Sequence, residues 1–181
     1  MKAKIDISTL LVFENRNFKA PELAKTILAN HLEKQLLNFA LDKEQLASNR
    51  AMWVLNHCND LDFNRIKPFY VKLINHLKNK NIHSGAIRSI LRMFQKQPVP
   101  KKYESFMLDK CFEYIKNPLE AIGVRAFAMT VAYNISKPYP DLLNELFIVL
   151  NHLSITELSA GIRSKTKNTM KEITKLNFEQ Q

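Results

Sequence analysis

Glycine and proline are scarce in this chain, three and seven among 181 residues, well below ordinary usage. With few residues that interrupt helices, and with Leu, Ala, Lys, Asn and Ile abundant, helix is favoured throughout. The same scarcity leaves no Gly-rich loop to cradle a phosphate. Cysteine is limited to Cys58 and Cys111, each inside an apolar stretch, with no CxxC spacing and no secretory context, so both are expected as reduced core residues. The histidines, His31, His57, His76, His83 and His152, form no HxxxH pair and do not stand with Cys or Asp at metal-ligand spacing; no metal and no cofactor is expected. No nucleophile has a placed base and no carboxylates pair in one register, which leaves an enzyme acting on small molecules without support.

Long apolar runs are missing too. Leu10 to Phe13 is too short for a signal-peptide core and lacks a small-residue cleavage site. Nothing approaches the roughly 18 apolar residues that a membrane span needs. A cytoplasmic chain with no membrane segment is the expectation. What is present is 46% apolar content in a length usual for one domain, ample for a continuous core.

Acidic residues are absent from one segment. Between Phe63 and Tyr103 stand Arg65, Lys67, Lys72, Lys78, Lys80, Arg88, Arg92, Lys96, Lys101 and Lys102 with no Asp or Glu, so this segment carries the whole net charge of +10. Over the rest of the chain, basic and acidic residues balance.

The three glycines, Gly85, Gly123 and Gly161, fall 38 residues apart. Arg50, Arg88, Arg125 and Arg163 keep nearly the same step, each followed by Ala or Ser in the segments SNRA, AIRS, GVRA and GIRS. Upstream, three apolar columns share the register: Leu32, Tyr70, Leu108, Leu146; Leu36, Ile74, Phe112, Leu150; and Phe39, Leu77, Ile115, Leu153. Within one copy these stand at i, i+4 and i+7, one stripe of a helix. Each copy therefore reads as an amphipathic helix A followed by a helix B that the arginine opens.

The expected helices cover 21–30, 32–41, 45–58, 64–79, 83–96, 103–116, 120–136, 140–153 and 160–176. Breaks are marked by Asn59-Asp60, Pro98-Val99-Pro100, Asn117-Pro118 and Pro138-Tyr139-Pro140. The fold class that follows is all-α: a right-handed α-α superhelix of about four hairpins in a single domain. Its repeats span 32–59, 63–97, 103–137 and 140–176, with 1–31 covering one open end. The last helix reads as the other cap, because Lys165, Lys167, Asn168, Thr169 and Lys171 replace the more apolar residues of the third copy.

The stretch NPLEAIGVRAFAMTVAYNI, Asn117 to Ile135, resembles the HEAT repeat pattern, in which a turn carrying Asn and Pro leads to Val-Arg and an alanine-rich helix. RAMWVL, AFAMTVAYNISKPYP and SAGIRSK extend the resemblance to small bacterial HEAT-like proteins over roughly residues 30–176. The resemblance implies the ARM/HEAT-type fold and brings no activity with it. An adenylosuccinate lyase would need a Ser-rich, Met-Pro-Lys-Asn loop and far more chain, and neither is present.

The candidate site for an anionic partner is the arginine column Arg50, Arg88, Arg125 and Arg163, joined by Arg92 and Lys96, which stand with Arg88 at i, i+4 and i+8. Each guanidinium of the column has two readings: a structural fork that bonds carbonyls or acidic side chains of a neighbouring repeat, or a rung of an anion-binding ladder. Trp53, the only tryptophan, is expected in the core. The leading functional expectation is a non-catalytic scaffold whose basic concave surface docks an acidic protein segment. The alternative is nucleic-acid binding through the same surface, since the chain resembles the DNA alkylation-repair glycosylases in architecture alone; base excision is not expected, because only Trp53 offers an aromatic and only Asp60 and Asp62 an acid. The chain is expected to be a monomer or a weak homodimer.

Overall fold

The computed structural model describes residues 6–11, 18–42, 45–157 and 159–179. Among them every regular element is helical: α1 (Ile7–Leu11), α2 (Ala20–Ala29), α3 (Glu33–Ala40), α4 (Gln45–Leu61), α5 (Phe63–Ile66), α6 (Tyr70–His76), α7 (Ser84–Phe94), α8 (Glu104–Lys116), α9 (Ile122–Ser136), α10 (Pro140–Thr156) and α11 (Ala160–Glu179). Of the expected N-terminal cover, residues 1–5 and 12–17 lie outside the described residues, and so does part of the Leu10 to Phe13 run. The chain packs as two compact units, Met1–Met93 and Phe94–Gln181.

In the first unit α4 packs on α2 and α3. Its residues Ala51, Met52, Val54, Leu55 and Cys58 are fully buried, together with Ala24 and Ile27 of α2 and Leu36, Leu37 and Ala40 of α3. The α2–α3 turn is a Schellman closure: Leu32 N–H donates to the Ile27 carbonyl and His31 N–H to that of Leu28, with His31 at φ 56° in the left-handed region. The expected helix 64–79 is broken. Pro68 has no N–H to give, and Lys67–Phe69 tighten into a 3-10 turn between α5 and α6. In contrast, the expected break at Asn59-Asp60 does not occur, because α4 continues to Leu61 and carries both residues.

In the second unit α8 and α9 form one hairpin and α10 and α11 another, with both α10 and α11 against α9. α9 buries one broad face, Val124, Ala128, Met129, Val131 and Ala132 among its residues. Its alanines let the neighbouring helices approach. Asn117 and Pro118 end α8, and the Leu119 N–H returns to Asn117 Oδ1 at 3.0 Å. Of the column Leu36, Ile74, Phe112 and Leu150, every member is buried, as the i, i+4, i+7 stripe requires.

Candidate functional site

The arginines that open the B helices do not share one environment. Arg125, in the first turns of α9, is 3% exposed; its Nε donates to the carbonyl of Ile115 at 3.3 Å and its Nη2 meets Glu157 Oε2 at 2.6 Å. Ile115 lies in the last turn of α8, where carbonyls lack intrahelical partners and the helix end carries partial negative charge, so a guanidinium fits there. Arg163 reaches the same loop, with Nη1 3.5 Å from the Glu157 carbonyl. Arg50 donates from Nη1 to the Leu11 carbonyl at 3.3 Å and lies 4.7 Å over the Phe18 ring. Arg125 uses two nitrogens of its planar fork to tie α8 to the end of α10, Arg50 reaches from α4 to the end of α1, and Arg163 makes a long contact while staying exposed.

Arg65, placed by the sequence only within the basic segment, does the same work in the first unit. Its Nη1 donates to the Leu28 carbonyl at 2.6 Å, and Nη2 contacts His31 Nδ1 at 2.9 Å and the Glu33 carboxylate. The left-handed turn at His31 brings these groups together, a signal that residue spacing does not carry.

Arg88 and Arg92 stand one turn apart on α7 and face α4. With Gly85 and Ser89 they bound a cleft of about 420 Å³, closed on the other side by Asn49, Trp53, Asn56 and His57 of α4. Arg92 is held in place: Nη2 pairs with Asp60 Oδ2 at 2.6 Å and Nη1 donates to Asn56 Oδ1 at 3.3 Å. The carboxylate that α7 lacks is therefore supplied by α4. Arg88 is exposed at the mouth. Lys96 does not continue the row, because α7 ends at Phe94 and Lys96 lies in the turn before Pro98, where the helical phase no longer holds.

Trp53 overturns its expected burial: it is 51% exposed. The reason is phase. Ala51, Met52, Val54, Leu55 and Cys58 fill the buried arc of α4, which turns Trp53 outward with Asn49 and His57, one turn before and after it. That polar i−4, i+4 flank was the available signal, outweighed by the apolar neighbours in sequence. The indole lies 5.7 Å from Phe18 and 6.1 Å from His57, centroid to centroid, making a short aromatic row. Burial, then the Arg92 charge, pushes His57 below its ordinary value, with Asp60 acting in the opposite sense, which favours the neutral imidazole.

The arrangement offers a flat aromatic face, a cation at the mouth, and amide and hydroxyl groups at the sides. Among the described residues no three or more His, Cys, Asp or Glu are grouped to hold a metal ion, and no helix is long and apolar enough to cross a membrane.

A family model for the HEAT repeat domain matches residues 14–173 of the chain. Neither a curated protein nor a solved structure matches it.

Proposed function

The chain belongs to the HEAT repeat family, and from that premise we propose that it is a non-catalytic scaffold that docks an acidic protein segment on the α4–α7 face. HEAT repeats generally mediate protein interactions, and their helices present extended surfaces for the purpose. The observation that carries the reading is Trp53, the single tryptophan, exposed beside Arg88 and the Asp60-anchored Arg92. An indole next to a guanidinium is the composition of a protein-binding hot spot: the ring supplies apolar area with few rotors to freeze, and the cation selects charge at the rim. In this reading Arg88 contacts the partner carboxylates, Arg92 sets the cleft width, and Arg50 supports the aromatic row through Phe18. Arg125 and Arg163 serve the fold. The cytoplasm, where both thiols stay reduced, is the compartment that suits it.

A base could also stack on Trp53 while Arg88 meets a phosphate, which keeps nucleic acid as the second reading. Arg92 argues against it, because Asp60 neutralises one of the two cations at the cleft.

Trp53 is its own reporter. Titrating the protein with a short Glu-rich peptide carrying one aromatic residue, and separately with duplex and single-stranded DNA, should change Trp53 emission with the peptide. Arg88→Glu/Arg92→Glu should abolish the change and Lys96→Glu should not. A response to DNA alone would transfer the site to nucleic acid. If no ligand changes the emission at low salt, both readings fail.

A further inference from the structure

The α10–α11 hairpin has a second surface, independent of the α4–α7 face. α11 turns Ile162, Thr166, Thr169 and Ile173 toward the interior, spaced i, i+4, i+7, i+11 and all buried, with Thr166 Oγ1 against Met129 Sδ of α9. The flank of the same helix beside α10 carries Lys167, Met170, Lys171, Thr174 and Lys175. With Phe147 and Ser154 of α10 these residues line a groove of about 710 Å³.

In a stack of helical hairpins each pair covers the one before it, so the side of α10–α11 turned away from α9 is the side a further hairpin would occupy. An ordinary hairpin presents an apolar stripe, and a row of ammonium groups at i, i+4 and i+8 opposes it. Yet the groove floor is apolar. Phe147, Met170 and the methylene stems of the lysines supply hydrocarbon, while the stems carry their charges out to the rim. No described residue that lines the groove is acidic. Glu172 belongs to the flank of α11 that carries Lys165, where its charge counters the burial that lowers the Lys165 pKa.

We infer that this groove docks an acidic amphipathic helix of a partner protein, which lies where a further hairpin would stack. Its apolar residues at i, i+3, i+4 and i+7 seat on Phe147 and Met170, and Glu or Asp on its flanks meets Lys167, Lys171 and Lys175. Lys167, Lys171 and Lys175 repeat at one-turn spacing beside Phe147 and Met170, a pattern that matches the one-turn repeat of a second helix. A phosphate backbone has nothing to place against Phe147 and Met170.

The experiment is a selection from a displayed library of helical peptides on the full-length protein, counter-selected on Lys167→Glu/Lys171→Glu/Lys175→Glu. These changes alter exposed or rim residues, and circular dichroism confirms that the variant is folded. Clones that depend on the lysines should carry the i, i+3, i+4, i+7 apolar pattern with flanking carboxylates. As free peptides they should lose at least tenfold in affinity on the triple charge reversal, lose affinity again on Met170→Glu, weaken with salt, and be indifferent to Arg88→Glu/Arg92→Glu. The inference is overturned if no clone depends on the lysines, or if the dependent clones are not acidic helices. It is also overturned if anionic vesicles or duplex DNA bind through the lysines while no peptide does. Because the α4–α7 variants are read separately, failure here leaves the proposed function standing, and the reverse holds.

Discussion

Two side chains show how much a single environment decides. Arg125 and Glu157 form a nearly dry pair, 3% and 10% exposed, and the guanidinium also satisfies the Ile115 carbonyl. Such a pair is costly to break from one side, because the surviving charge stays buried without its partner. Arg125→Met should therefore lower the unfolding free energy by roughly 3–5 kcal/mol in urea titrations, and Arg125→Met/Glu157→Leu should recover most of it. A loss under about 1 kcal/mol for the single change would show that water reaches the pair. His57 is the opposite case, a neutral ring beside a cation. Removing that cation with Arg92→Gln should raise the His57 pKa toward its ordinary value of 6.5, and Asp60→Asn should lower it further; an NMR titration of the ring reads both. Because the folded-state value is depressed, the unfolded chain binds the proton first. His57 therefore destabilises the protein as pH falls below about 6.5, and His57→Gln should flatten that part of the stability curve.

At the scale of the element, the glycines that revealed the period do not do one job. Gly85 sits at the start of α7, where its N–H donates to His83 Nδ1 at 3.0 Å, a side-chain cap made by histidine. A Cβ there would meet that same nitrogen at 3.0 Å and Asn49 Oδ1 at 3.3 Å. Gly85→Ala should thus cost about 1 kcal/mol of stability by disturbing the cap. At Gly161 the nearest groups, Ile122 Cγ2 and Ser159 Oγ, are 3.8 and 3.9 Å away, so Gly161→Ala should gain about 0.5 kcal/mol, chiefly by restricting the unfolded chain. Thermal melts of the two variants should move in opposite directions. The same contrast explains what the sequence disclosed. Apolar columns and the Asn117-Pro118 and Pro138 signals located α2, α3, α8, α9, α10 and α11 within a few residues, because helix phase and proline chemistry act locally. Pro68 acts locally too, but it split the expected helix 64–79 into α5, a 3-10 turn and α6. The cleft was less legible. Arg88 and Arg92 were in view, whereas Trp53 was assigned inward and Asp60 to a turn, since both depend on how α4 rotates against α2 and α3. The rotation comes from packing across chain distances that a repeat pattern does not encode.

At the scale of the molecule, each of the two compact units holds one cysteine, Cys58 in the first and Cys111 in the second, both buried. Burial pushes the Cys58 thiol up to about 12, with the Glu33 charge acting in the same direction, and burial raises Cys111 as well. Neither thiolate forms at neutral pH in the folded state, so neither should react with iodoacetamide until its own unit opens. In a helical-repeat chain stability is close to a sum of local terms between neighbours, and a lesion in one unit need not propagate through the other. Arg125→Met places such a lesion in the second unit. Pulsed alkylation along a urea gradient, read by mass spectrometry at each cysteine, should show Cys111 exposed at lower urea in that variant while the Cys58 midpoint stays at its wild-type position. Were both midpoints to shift together, the two units would unfold as one cooperative body, and the Arg125–Glu157 pair would then stabilise the α4–α7 cleft as well as its own hairpins.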